Sequence, residues 1–264
     1  MAALIDEYSL TAVPLEMRFG ETRLSTGTGF IWNNENQLFL ITNWHNVTGI
    51  NPRTGEHLSK NAGEPDGIVM LLHAEDYRFE KRAQVQISLR GREGEPLWLE
   101  HPLGRKVDVI ALPLPSIRGA ILCPINQLPQ TDMLIAVGLE AFIIGYPFGI
   151  GVSTFPVWKR GSIASEPYVF AKGHPYFFVD TASREGMSGS PVILRTWGGY
   201  ETPEGGRITT SGSATRLIGI YSGRIGGKDE LQAQLGVVWH AGLVDVILKE
   251  GRPGSLANCG AGRT

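Results

Sequence analysis

At 264 residues the chain has room for one large domain or two small lobes, and a chain of that size buries about three quarters of its unfolded surface. Hydrophobic residues make up 42% and charged residues 19%, and the net charge of −2 leaves no electrostatic footprint for nucleic acid or an anionic membrane. Cys123 and Cys259 are the only cysteines, too few for a disulfide framework, and no apolar run approaches the roughly 18 residues of a membrane span.

In chain order, residues 1–30 have no basic start followed by an apolar core, so no secretory leader is predicted. With the scarcity of cysteine, that predicts a reducing, cytoplasmic setting. Short β-type runs follow at Gly27 to Trp32, Leu38 to Thr42, Ile68 to His73, Ala83 to Leu89 and Val107 to Leu112, with turn-forming segments between them. The most basic stretch, Arg78 to Arg92, is interleaved with Glu80 and Glu93 and reads as a solvated hairpin. Pro113, Pro115, Pro124 and Pro129 mark residues 113–130 as a linker. Beyond it lie Ala141 to Gly145, Trp158 to Ala164, Tyr176 to Asp180, Pro191 to Leu194, Leu217 to Ser222 and Leu235 to Trp239. Glycine at 34 residues and proline at 16 suit an all-β barrel architecture better than a helical or doubly wound one. Leu243, Val244, Ile247 and Leu248 fall on one stripe of a terminal helix, which Pro253 and a glycine-rich tail stop.

Three segments carry chemistry. In Gly186-Met-Ser-Gly-Ser-Pro, a serine is flanked by glycines that let the backbone turn tightly. A serine hydroxyl attacks a carbonyl only if a base removes its proton and donors hold the resulting oxyanion. The amides of Gly186 and Ser188 are the expected donors. Small residues beside a serine are also common in plain loops, so this segment alone decides nothing. Thr42-Asn-Trp-His-Asn-Val places His45 just after an apolar strand, where a lone histidine is usually structural. Asp108 enters the hydrophobic strand Val107-Asp-Val-Ile-Ala-Leu, and a buried carboxylate there needs a partner. An edge aspartate is the plain alternative. It is the order His, Asp, Ser, one of the known triad orders, that joins the three.

These segments resemble the chymotrypsin-fold (trypsin-like) serine peptidases, especially bacterial stand-alone trypsin-like peptidase domains related to the high-temperature-requirement proteases. The likeness spans roughly residues 20–250. Gly27-Thr-Gly-Phe-Ile is similar to the family's glycine-rich strand before the histidine, and Phe142-Ile-Ile-Gly-Tyr-Pro-Phe-Gly to its turn early in the second barrel. Asp180 to Pro191 is similar to the nucleophile segment, and Leu217 to Gly223 to the strand that pairs with a substrate backbone.

The resemblance implies two six-stranded antiparallel β-barrels and a short C-terminal helix. Residues 1–125 would carry His45 and Asp108, and residues 126–264 would carry Ser188. It further implies a serine endopeptidase working through an acyl-enzyme on protein or peptide substrates, with no cofactor, metal, nucleic acid or membrane. Ser188 would be the nucleophile, His45 the base and Asp108 its orienter. Ala182, six residues before the serine, would be the floor of the specificity pocket, with Ser222, Gly223 and Gly236 along its walls. No carboxylate sits at that floor, so a small or medium apolar side chain is the expected fit, unless Arg224 points inward. Zymogen-type relatives carry an acidic residue just before the serine. Here that position is Met187, which leaves open how the oxyanion turn is held.

Two alternatives stand beside this reading. Ser188, Asp229 and His240 occur in the order of an α/β-hydrolase triad, but Pro191-Val-Ile-Leu reads as a strand where that fold needs a helix. A proteolytically silent or partner-activated module, acting as a protein-binding or sensor domain, would follow if Met187 and the insertion from Thr196 to Arg216 left the oxyanion turn collapsed.

Overall fold

A computed structural model describes residues 5–58, 63–75, 79–151, 154–170, 174–182, 184–224 and 235–255. Asp229 and Cys259, as well as the side chain of Arg224, lie outside the described residues.

The first half is a nine-stranded antiparallel sheet. Its strands are β1 (Ala12–Phe19), β2 (Thr22–Asn34), β3 (Gln37–Thr42), β4 (Gly67–Ala74), β5 (Arg82–Ser88), β6 (Leu99–Glu100), β7 (Ile110–Pro113), β8 (Ala120–Ile121) and, from the far end of the chain, β17 (Arg252–Pro253). Local chemistry sets the β2–β3 hairpin: Glu35 and Asn36, both with positive φ, form a two-residue loop whose twist matches the strands. β1 was not apparent in the sequence because Pro14 interrupts its apolar pattern, yet it pairs with both β2 and β4. The sheet order runs β17-β6-β7-β3-β2-β1-β4-β5, with β8 on β4. Its two ends approach through Leu97 N–H donating to Leu89 and an isolated bridge between Arg90 and Pro96. Proline has no N–H to extend that ladder, so this half stays a curled sheet rather than the closed six-stranded barrel of the second half.

β9 (Glu140–Gly145), β10 (Val157–Ile163), β11 (Tyr176–Asp180), β12 (Pro191–Trp197), β15 (Ser213–Arg224) and β16 (Leu235–His240) close into that barrel, in the order β10-β11-β16-β15-β12-β9. β13 (Tyr200–Glu201) and β14 (Arg207–Ile208) form a small separate hairpin inside the insertion between β12 and β15. The fold is all-β in architecture, as the sequence predicts, with α2 (Leu243–Glu250) as its terminal helix.

One core fills the first half around Leu15, Met17, Leu40 and Trp44, and another fills the second barrel around Ile143, Phe177, Met187 and Tyr221. A third joins them: Phe30, Ile41 and Val109 pack with Ile144, Ile193 and Trp239, and Leu243, Val244 and Ile247 of α2 seal the seam. Each such fully buried side chain contributes about 1.5–3 kcal/mol. Beyond α2, Arg252 Nε (3.0 Å) and Ser255 Oγ (3.0 Å) donate to the buried carboxylate of Glu100, whose other oxygen accepts from Trp44 Nε1 at 3.1 Å. The chain end therefore helps fix the residue that precedes His45. Among the described residues, no helix is long and apolar enough to cross a membrane, and no group of three or more His, Cys, Asp or Glu side chains could hold a metal.

Candidate active site

His45 lies in α1 (Trp44–Thr48), a single helical turn that the sequence does not announce. Asn43 enters it in an extended conformation. Gly49 leaves it in the left-handed region at φ 69°, its N–H closing on the His45 carbonyl at 2.9 Å. This turn places the His45 backbone and imidazole on one acceptor: the His45 N–H donates to Asp108 Oδ1 at 2.9 Å, and His45 Nδ1 meets Asp108 Oδ2 at 2.7 Å. Asp108 is 2% exposed, just before β7, and Ser222 Oγ also donates to its Oδ2. Asn43 Nδ2 donates to the Asp108 backbone carbonyl at 2.7 Å, which pins the segment from the other side. Burying a carboxylate is tolerable when its acceptor sites are filled in this way. Nε2 is then the ring nitrogen of His45 that Asp108 does not engage.

Ser188 is brought to α1 through its backbone. Its carbonyl accepts from the Thr28 N–H of β2 at 2.9 Å and from Asn46 Nδ2 at 3.1 Å, and Asn46 Nδ2 also donates to Thr42 Oγ1 at 2.9 Å. The residue after His45 thus grips the nucleophile turn directly. Among the described residues, the Ser188 hydroxyl has no hydrogen-bond partner. A bond from serine to histidine of this kind commonly tightens only when substrate arrives.

The turn itself depends on two glycines. Gly186 and Gly189 both have φ of 89°; a Cβ on Gly186 would stand 2.4 Å from the Tyr146 carbonyl oxygen, and one on Gly189 would stand 2.0 Å from that of Thr28. No larger residue fits. Thr28, fully buried between the two glycines of Gly27-Thr-Gly, holds the turn: its Oγ1 donates to the Gly186 carbonyl at 2.7 Å and accepts from the Tyr146 N–H at 3.1 Å. Phe148 N–H donates to the Glu185 carbonyl at 2.6 Å, and Gly189 N–H to the Tyr221 carbonyl at 2.8 Å. Met187 is buried in the second-barrel core. Apolar burial and these backbone bonds stand where an acidic residue would otherwise anchor the turn. No hydrogen bond joins the amides of Gly186 or Ser188 to another described residue.

The predicted pocket residues separate. Gly223 lies beside the nucleophile: a Cβ there would be 3.7 Å from Ser188 Oγ. Ser222 turns its hydroxyl to Asp108 instead of lining a wall. Gly236 lies under the Tyr221 ring, which would stand 2.3 Å from a Cβ at that position. At Ala182 the backbone carbonyl accepts from the Lys159 ammonium. Thr28, Asn46 and Ser222 as an orienter were missed in the sequence. The one usable signal was their position, one or two residues from a motif glycine or the histidine. A wider cleft, lined by Trp32, Gln130, Asp132, Arg216 and Asp245 among others, contains none of the triad residues. His240, of the hydrolase alternative, binds the Pro167 carbonyl through Nε2 at 2.6 Å among the rings of Tyr168, Phe170 and Phe177. That pairing and the barrel topology remove the alternative.

Comparison with known proteins agrees with this architecture. The sequence profile of the trypsin-like peptidase domain matches residues 27–198, more than half of the chain and inclusive of His45, Asp108 and Ser188. No curated protein sequence matches the chain. Among solved structures, it is similar to a serine endoprotease from Yersinia pestis at 14% identity and TM-score 0.51, covering 92% of this chain and 65% of that one. The chain therefore spans slightly less than two thirds of that structure's length. It is also similar to a protease from M. tuberculosis in its active form, at 16% identity and TM-score 0.50, covering 95% of this chain and 85% of that one. At such identities the likeness is one of fold.

Proposed function

The chain belongs to the trypsin-like peptidase domain family, a family of serine-type endopeptidases, and from that premise we propose that it cleaves peptide bonds through His45, Asp108 and Ser188. The observation that carries this reading is the double grip of Asp108 on His45, through backbone N–H and Nδ1 at once. That grip fixes both the position and the tautomer of the imidazole.

In the proposed reaction Ser188 Oγ attacks the scissile carbonyl carbon and its proton passes to His45 Nε2. The carbonyl oxygen becomes an oxyanion facing the amides of Gly186 and Ser188, and each such donor contributes roughly 3–4 kcal/mol to the transition state. Collapse expels the amine, which takes the proton from His45, and leaves the acyl group on Ser188. Water then repeats the sequence, with His45 as base, and releases the acid. Asp108 orients the imidazole throughout, itself held by Ser222. Protein or peptide chains are the substrates, aligned along the Ser222–Gly223 segment of β15 beside Ser188.

The test is a peptide-library cleavage profile of the wild type and Ser188→Ala, together with labelling by a fluorophosphonate, in which Ser188 Oγ would bond to phosphorus and displace fluoride. Cleavage at selected sites and labelling by the wild type alone are expected, with the alanine variant down about three orders of magnitude or more. Equal cleavage by both proteins would remove Ser188 from the reaction. One observation favours a second reading, a module that is silent until a partner engages it: the Ser188 hydroxyl makes no bond to His45. Absence of labelling under every condition would select that reading.

A further inference from the structure

Glu100 is fully buried in β6, paired in the sheet with Ile110 of the first-half core. Burying a carboxylate is unfavourable, and an apolar residue of similar size would complete that core without the cost. Its two oxygens are instead met by donors from two parts of the chain. On one side the indole N–H of Trp44, itself 1% exposed, donates to Oε2 at 3.1 Å. On the other, Arg252 Nε and Ser255 Oγ donate to Oε1, each at 3.0 Å, and the Ser255 N–H donates to Oε2 at 3.3 Å. The chain end is laid close to β6 to reach them. Arg252 pairs with Glu100 and Pro253 with Leu99 in the β17–β6 ladder, and the Gly254 N–H donates to the Trp98 carbonyl at 2.8 Å. Trp44 is the first residue of α1 and His45 the second. That helix is five residues long and takes no side-chain bond from its cap, Asn43. An indole has a single hydrogen-bonding group, and here Glu100 holds it. The anchoring of Trp44 therefore bears directly on where the imidazole stands.

We propose that Glu100 is a positioning residue for the peptidase, and that Arg252 and Ser255 at the chain end set its turnover by holding Glu100 against Trp44. This rests on His45 being the base of the proposed reaction. Asp108 fixes His45 from one side, through ring and backbone, and the link from the chain end fixes the residue before it. Without the chain-end donors the carboxylate keeps only the Trp44 indole. A buried carboxylate so depleted turns toward water, and the indole loses its acceptor. The start of α1 is then free to shift, and the imidazole moves with it. A misplacement of about 1 Å at the reacting groups costs on the order of a hundredfold in rate, so a smaller shift is still felt. The fold depends less on this link than the site does. Leu243, Val244 and Ile247 of α2, all upstream of Arg252, make the apolar seal between the halves, and Arg252, Pro253 and Ser255 are exposed. Changes at the chain end thus separate activity from folding.

The experiment compares the full-length wild type with Arg252→Gln, Ser255→Ala, Glu100→Gln and the double variant Glu100→Gln/Arg252→Gln. Lys249→Gln, an exposed change on α2, is the control. Values of kcat and KM are measured on one fluorogenic peptide drawn from the cleavage profile, well below each melting temperature, beside the rate of fluorophosphonate labelling. Arg252→Gln should lower kcat about tenfold and Ser255→Ala about threefold, with KM within about twofold and labelling slowed in step. In Glu100→Gln the amide NH2 faces a donor whichever way it turns, so a loss of about tenfold is expected there too. The double variant should be no worse than the poorer single, because both cut the same link. Full kcat in folded Arg252→Gln and Ser255→Ala overturns the proposal, even if their melting temperatures fall. So does a double variant whose loss is the product of the singles, or a Lys249→Gln loss as large as that of Arg252→Gln. If Arg252→Gln or Glu100→Gln does not fold, Ser255→Ala decides alone. An active wild type with an unaffected chain-end variant sinks only this inference, whereas a wild type that neither labels nor cleaves sinks the triad with it.

Discussion

At the scale of single residues, the carboxylate of Asp108 is the hinge of the site. It collects the His45 amide and ring at 2.9 and 2.7 Å, plus the Ser222 hydroxyl, while almost fully buried. Asp108→Asn keeps the shape but offers an N–H where the ring N–H must donate, so the imidazole adopts the wrong tautomer. Turnover should drop by about four orders of magnitude, with KM little changed. Ser222→Ala removes one donor of the three and leaves the tautomer intact. A loss of about tenfold is expected, since the carboxylate that positions His45 loses one of its own anchors. Steady-state kinetics reads both variants, and a Ser222→Ala kcat/KM equal to that of the wild type would reduce that hydroxyl to packing. The three triad positions were legible because each sits in a short motif. Ser222 was not read correctly, because a serine at the end of a strand gives no sign of the direction in which its hydroxyl points.

At the scale of elements, the nucleophile turn is clamped between β2, α1 and β9 by bonds that no motif spells out. Thr28 is their node, giving its hydroxyl proton to Gly186, taking one from the Tyr146 amide and giving its own amide to Ser188. Most strands were evident from their apolar runs, and the terminal helix from its stripe. Pro14 hid β1, two-residue strands such as β6 and β17 carry too little pattern to see, and α1 is too short for any periodicity to register. Pairings between β2 and residues about 160 positions away are long-range facts, beyond the reach of local propensity. Thr28→Val tests the clamp, because it keeps the shape and deletes only the hydroxyl. Two buried partners, the Gly186 carbonyl and the Tyr146 N–H, are then left unpaired at a cost of about 1–3 kcal/mol each. Urea unfolding should show a lower midpoint with an unchanged slope, and kcat/KM should fall about tenfold or more as the Gly186 amide loses its fixed direction. Unchanged stability would mean that the turn is held by its glycines and Met187 alone.

At the scale of the molecule, the two halves are joined not only by their shared core but also by a polar strap. Arg82 of β5 reaches across to Tyr146 Oη at 2.7 Å and to the Thr154 carbonyl, both in the second half, and Thr154 Oγ1 returns to the Phe79 carbonyl. His73 is buried beside this strap in a three-ring cluster with Phe79 and Phe155, at 5.3 and 5.1 Å from them, with neither ring nitrogen paired among the described residues. Burial, and then the positive charge of Arg82, push its pKa down from 6.5 to about 4. The folded protein therefore holds His73 neutral where the unfolded chain protonates it. Above about pH 6.5 both states are neutral and the residue adds no pH dependence. As the pH falls from 6.5 toward 4, the unfolded state gains a proton that the folded state refuses, and stability drops at up to about 1.4 kcal/mol per pH unit. Below about 4 the folded state takes the proton as well and the slope levels. His101 and His240 are displaced in the same direction by burial and steepen the trend. Thermal melting between pH 7 and 4 should show a steady fall in Tm, and His73→Phe, which keeps a ring in the cluster, should flatten it. The same loop carries Phe148, whose amide holds the Glu185 carbonyl of the nucleophile turn, so peptidase activity should fade along with the strap. A His73→Phe variant that loses stability as steeply as the wild type would move the acid sensitivity to the other two histidines and free the strap from it.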